Sequence, residues 1–198
     1  MSSYWRNLAW PLIALLALGA CAQYSLISVE RIEIAGAYSV SPSIKWNSKR
    51  GRDYELWTVD GPKLQDLTFY GGFEDDDILF APTAKQDEKK IPGYKENFSL
   101  LDVEEWIEAS YAQAEFGNMV TSDFRPFKFG SKKGFRFEFT FVAEDGLRNK
   151  GFVVGAKIDA ELHLIVFTAP ELYYFEKFAP EAERIIRSIR IAGDGKAA

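Results

Sequence analysis

Phe135-Arg136-Phe137-Glu138-Phe139-Thr140-Phe141 sets an aromatic ring at every second position and a polar side chain between each pair. Successive residues of a strand point to opposite faces, so the four rings share one face and Arg136, Glu138 and Thr140 the other. The stretch therefore predicts a strand with one covered and one wetter face. Working outward, Gly130 to Gly134 is expected to be the preceding turn and Glu144-Asp145-Gly146 the following one. Phe152, Val154, Ala156 and Ile158 continue the alternation, Asp159-Ala160-Glu161 turns the chain, and Leu162 to Thr168 returns it. With the segment from Phe124, these predict an antiparallel meander of four strands.

Two helices are expected around that meander. Asp102 is the expected N-terminal cap of the first, with Glu105 three residues on completing a capping box. Val103, Trp106, Ile107, Tyr111 and Ala114 then form one apolar stripe, and Glu104, Glu108 and Glu115 lie outside it. The second is expected to start at Pro170, and its Phe178, Ala182, Ile185, Ile186 and Ile189 spacing gives an apolar face that can pack across the sheet. The fold class is therefore α+β, an antiparallel β-sheet meander flanked by two amphipathic helices. Sixteen Phe in an aromatic fraction of 15% fit a core built from strand faces.

Toward the amino terminus, Leu26 to Ile34 is expected to be one half-buried strand, followed by Tyr38-Ser39-Val40 and by Tyr54 to Val59. Leu64, Leu67, Phe69 and Tyr70 are expected to be strand. Glu74-Asp75-Asp76-Asp77 is expected to be a solvated turn rather than a cation site, because adjacent carboxylates on an extended chain face opposite ways. Residues 82–98, rich in Lys, Asp, Glu and Pro, are expected to be a charged surface loop and a candidate binding loop.

The chemistry is sparse. The single histidine, His163, falls in a predicted strand, where it is expected to be satisfied by neighbours; no nucleophile can be matched to it. One His and one Cys exclude a zinc cluster, and no phosphate loop, dinucleotide fingerprint or nucleophile elbow occurs. No catalytic residue, metal or cofactor is expected, and an enzyme using carboxylates alone has no distinguishable pair. The formal net charge of −5 argues against a nucleic-acid partner. Trp46, Trp57, Tyr94, Tyr173 and Tyr174 are the candidate interaction surface, since such rings join an apolar body to a polar tip.

The first twenty residues carry one charge, Arg6, ahead of an apolar run from Leu8 to Leu18 that is too short to span a bilayer. Leu18-Gly19-Ala20-Cys21 follows and resembles the lipobox of bacterial lipoproteins. That resemblance implies cleavage before Cys21, acylation of its thiol and of the new amino terminus, and a bilayer partner. Ala22 after the cysteine implies, by the same likeness, the periplasmic face of the outer membrane. The organisation is then a signal peptide over 1–20, a lipidated terminus and short tether over 21–25, one α+β domain over 26–192 and a flexible tail over 193–198. Loss of Arg6 with the leader makes the acidic balance one unit stronger.

Tyr38-Ser39-Val40-Ser41-Pro42, Trp46, the helix near Asp102, the aromatic meander and Ala169-Pro170 with Tyr174-Phe175 and Ile185-Ile186-Arg187-Ser188-Ile189 together resemble the PsbP-like superfamily. The resemblance implies a sheet between helices and a role in binding or assembly rather than catalysis. The expected function is a membrane-anchored, non-catalytic protein-interaction or assembly module with an envelope protein partner. The alternative is a carrier or sensor of a small apolar ligand held between sheet and helix.

Overall fold

The structure is a computed structural model that describes residues 24–82, 91–114, 119–143 and 145–194. Strands β1 (Ser25–Ile27), β4 (Trp46–Arg50), β5 (Tyr54–Thr58), β6 (Asp66–Phe73), β7 (Val120–Phe129), β8 (Lys132–Val142), β9 (Arg148–Ile158) and β10 (Glu161–Pro170) make one antiparallel sheet. Their order is β1-β4-β5-β6-β10-β9-β8-β7. Strands β2 (Ile32–Ile34), β3 (Tyr38–Val40) and β11 (Arg190–Ile191) make a second, small sheet. The helices are α1 (Leu100–Gln113) and α2 (Glu176–Arg187).

The expected four-strand meander is present as β7 to β10, with Phe139 opposite Gly151 and Phe152 opposite Phe167. It continues through β10 and β6 into a second meander of β6, β5 and β4. Both faces of the sheet are covered. Phe135, Phe137, Phe139 and Phe141 pack with Val153, Leu164 and Val166 against Val103, Trp106, Ile107 and Tyr111 of α1. Phe152, Val154, Ala156, Ile165 and Phe167 pack with Trp46 and Trp57 against Phe178, Ala182, Ile185 and Ile186 of α2. The face of β8 expected to be wetter is thus covered in part: Arg136 is only 4% exposed. Its guanidinium lies 4.1 Å above the Phe152 ring and pairs with Glu183 of α2 at 2.8 Å.

Four local expectations change. Leu26 to Ile34 is two strands in two sheets, because residues 28–31 carry the chain from β1 to β2. Gly134 is inside β8 rather than in a turn; a Cβ there would stand 2.2 Å from the Gly155 carbonyl oxygen, so the glycine serves a close approach of two strands. Helix α1 begins one turn early. Ser99 is its cap: the Ser99 hydroxyl accepts from the Asp102 amide at 3.3 Å and Asp102 accepts from the Ser99 amide at 2.7 Å. Pro170 ends β10, and α2 starts only at Glu176 after an irregular corner over Glu171–Phe175.

Candidate functional site

The α1 face of the sheet is not filled along its whole length. On β6 the side chains of Asp66, Thr68 and Tyr70 point to this face, while Leu67 and Phe69 enter the α2 core. Leu56 and Tyr54 of β5 continue the same face outward. After β6 the chain turns at Glu74–Asp77 and returns as Ile78 to Pro82, and Ile78 bridges to Gly93. Between these walls lies a cleft of about 720 Å³. It is lined by Leu56, Thr68, Tyr70, Phe73, Leu79 and Phe80 among others, and it reaches Ala114 at the end of α1. Its size is that of a pocket for a small molecule, and its walls are mainly apolar.

A second hollow of about 430 Å³ adjoins it, also touching Ala114. Asp66, Asn149 and Thr168 line it, with Lys63, Asp145 and Leu147. The Thr68 hydroxyl, on the cleft side, donates to Asp66 Oδ1 at 3.1 Å. Half-buried Asp66 has its carboxyl pushed up to about 7, because burial disfavours the anion more than the bond from Thr68 favours it. The Tyr70 and Tyr111 hydroxyls are held above their ordinary range, first by burial.

The acidic turn works as a fastening. Asp77 accepts from the Glu74 amide at 2.7 Å, Asp75 accepts from the Glu96 amide at 2.8 Å, and Lys95 pairs with Asp75 and Asp76. The Asp76 and Tyr94 backbones are joined in turn, so residues 91–98 are packed onto the domain. The rest of the expected binding loop, residues 83–90, lies outside the described residues. Among the described residues no group of three or more His, Cys, Asp or Glu side chains is placed to hold a metal ion.

The aromatic candidates separate. Trp46, Trp57 and Tyr94 are fully buried and form no surface, contrary to expectation. Trp46 and Trp57 pack in the α2 core, and Trp57 donates to Glu55 at 2.9 Å. Tyr94 stands 5.5 Å from Trp106 in the α1 core. Their burial has one cause: each lies where a helix or loop covers a sheet face, so the polar tip is not turned to water. Tyr173 is 65% exposed and its neighbour Leu172 85%. Tyr174 is half-buried, its ring perpendicular to that of Tyr173 at 5.1 Å. Tyr173 has φ 72° and ψ −60°, a tight-turn conformation that a side chain rarely adopts. Cys21 lies outside the described residues.

His163 is 1% exposed and neither ring nitrogen has a hydrogen-bond partner among the described residues, which corrects the expectation of a satisfied histidine. Its ring meets Tyr38 edge-on at 5.9 Å. Burial holds its pKa down to about 4, so the ring is neutral at neutral pH and its 3.7 Å approach to Glu161 is not an ion pair there. A third depression, of about 410 Å³, lies near by between the β2–β3 turn, the β4–β5 turn and Gly71. Arg50, Arg52, Asp53 and Glu55 make it polar, and Arg50 is already paired with Glu55 at 2.7 Å.

The cleft residues were missed in the sequence, although the alternation of Asp66, Thr68 and Tyr70 was available as a signal of one shared face. What hid them was their partner: the wall from Ile78 to Pro82 belongs to a segment without periodicity.

No family model matches the chain, and no curated protein is significantly similar to it. Among solved structures, cyanobacterial PsbP (CyanoP) from Synechocystis sp. PCC 6803 is similar with a TM-score of 0.55 at 9% identity, over 88% of this chain and 99% of its own. A protein from Bacteroides thetaiotaomicron gives a TM-score of 0.49 at 13% identity, with 85% of this chain covering half of that one. LpqN of Mycobacterium tuberculosis, involved in cell envelope biogenesis, gives 0.38 at 8% identity over 88% of this chain and 87% of its own. At such identities only the first likeness bears on structure, and it shows the fold alone. The chain has a mostly antiparallel α+β fold with two helices, resembling that of PsbP. Among the described residues no helix is long and apolar enough to cross a membrane.

Proposed function

We propose that this chain is a lipid-anchored envelope protein of PsbP-like fold that binds an apolar ligand in the cleft between β5, β6 and the Ile78–Pro82 wall, and carries out no chemistry of its own. The observation that carries the reading is the cleft: a space of about 720 Å³ bounded by Leu56, Tyr70, Phe73 and Leu79 on the face where α1 covers the sheet incompletely. Acylation at Cys21 would leave only three peptide links to Tyr24, at most ~11 Å of chain, so the β1 edge would ride at the bilayer surface, close to a source of apolar ligands. The test is detergent-free purification of the membrane-embedded protein followed by native mass spectrometry. A bound small molecule that disappears in Leu56→Trp, which sets a bulky ring in the cleft, supports the proposal; a stoichiometric protein with no small molecule overturns it.

A second reading, a protein-interaction or assembly module, has its own observation. Leu172 and Tyr173 stand out from the corner between β10 and α2 on a strained backbone, and strain of this kind gathers at recognition sites. If that corner is the working surface, Leu172→Ala with Tyr173→Ala abolishes partner capture and Leu56→Trp leaves it intact.

A further inference from the structure

Resting on the cleft reading above, we propose that its ligand is an amphiphile bearing a protonated amine, with its hydrocarbon part against Leu56, Tyr70 and Leu79 and its ammonium group on Asp66. Three observations converge on this chemistry. The cleft and the hollow beside it meet at Ala114, and the bond from Thr68 to Asp66 spans their boundary, so one molecule can occupy both. Asp66 makes no ion pair among the described residues, and Thr68 is the one side-chain donor to it. A carboxylate withdrawn from water with a single neutral donor is poorly stabilised, and a cation arriving with an apolar chain supplies what is missing.

The remaining groups of the hollow fit the same head. Asn149 donates its side-chain amide to the Leu147 carbonyl at 3.1 Å, which leaves its amide oxygen as an acceptor. Asp145 adds negative charge, Lys63 is exposed on the rim, and the negative charge of Asp66 adds to the burial that holds the Tyr70 and Tyr111 hydroxyls un-ionised, the Tyr111 hydroxyl being bonded to Thr168. An ammonium has three donors and no acceptor, so it matches the Asp66 carboxylate and the Asn149 amide oxygen. An alcohol brings no charge, and a carboxylate is repelled by Asp66.

Octylamine, octanol and octanoate, equal in chain length, separate these cases by isothermal titration into the full chain held in phosphatidylcholine nanodiscs, with protein-free nanodiscs as blank. Octylamine is expected to bind roughly ten-fold tighter than octanol at pH 8, with octanoate weakest. Asp66→Asn is expected to remove the amine preference and keep octanol binding. In the unsubstituted protein the octylamine affinity is expected to rise between pH 5.5 and 8 as Asp66 ionises, since the amine itself stays charged throughout. Equal binding of amine and alcohol, or an amine preference that survives Asp66→Asn with no pH dependence, overturns the assignment of the head group and leaves the cleft standing. Binding of none of the three, or binding indifferent to Leu56→Trp, overturns the cleft reading itself.

Discussion

His163 is the residue whose environment most directly sets a measurable property. Its ring is buried without a hydrogen-bond partner among the described residues, and its folded pKa of about 4 lies below the ordinary 6.5. The unfolded chain therefore takes up the proton first. The neutral ring's contribution is intact above pH 6.5 and is lost as pH falls through about 4, a difference of at most ~3 kcal/mol. Asp66 works in the opposite sense: raised to about 7, it favours folding at low pH and loses that contribution as pH rises through 7. Comparing a variant with its parent isolates His163 from that effect. His163→Met is expected to reduce the loss of urea stability between pH 7 and pH 4 by ~2–3 kcal/mol, and an unchanged loss would show the ring to be hydrated. At this scale the sequence was least legible. His163 lies on a strand, and what surrounds its ring is decided by Tyr38 and Gly71, neither of which is its neighbour in the chain, whereas Trp57 finds its partner in Glu55 of its own strand. Tyr173 was legible as an exposed ring, its strained backbone was not.

At the scale of elements, α2 is held by more than its apolar stripe. Glu181 is buried beneath it and accepts from the Ser43 amide at 2.8 Å, the Ser43 hydroxyl at 2.5 Å and Arg184 at 2.8 Å and 2.5 Å. Burial alone would raise this carboxyl, but the bonds from Ser43 and Arg184 outweigh it and hold it below the ordinary glutamate range. Its contribution is therefore present above pH 4.5 and is lost as pH falls below that. Glu181→Gln is expected to cost ~1–3 kcal/mol at pH 7, read as a lower urea midpoint with unchanged slope, and Ser43→Ala less. An unaltered midpoint would mean that the segment before β4 docks through Ile44 and the Ser41–Ser188 bond without help from Glu181. The two long helices and β7 to β10 were readable because each carries two or more periods of its pattern. The small sheet was not: strands of two or three residues hold no period, and β11 exists because the turn after α2 brings Arg190 and Ile191 back to Ser39 and Tyr38. For the same reason Ser41 has no isolated reading; its amide donates to Ser188 at 2.7 Å, joining the segment after β3 to the end of α2.

For the whole molecule, the proposed membrane attachment raises the question of what would hold an acidic domain there. A net charge of −5 gives no attraction to anionic headgroups, and the exposed apolar side chains of β1 and its flank, Tyr24, Leu26 and Val29, are too few to hold the protein by themselves. One acyl chain binds marginally, whereas two or three give durable attachment, so the anchor proposed at Cys21 would supply the affinity. The α+β class was legible from the strand and helix periodicities, and the expectation of an anchor rests on four residues alone. The cleft was not, because it is made where β5, β6 and the Ile78–Pro82 wall meet. Intact-mass measurement of the protein from membranes decides the anchor. The unsubstituted chain is expected to lack residues 1–20 and to carry acyl mass, and Cys21→Ser is expected to remain full length with none. Fractionation alone does not distinguish them, since an uncut leader also keeps a chain at the membrane. A Cys21→Ser protein cut after Ala20 would instead show ordinary secretion, and the apolar ligand proposed for the cleft would then have to be met in solution rather than at the bilayer surface.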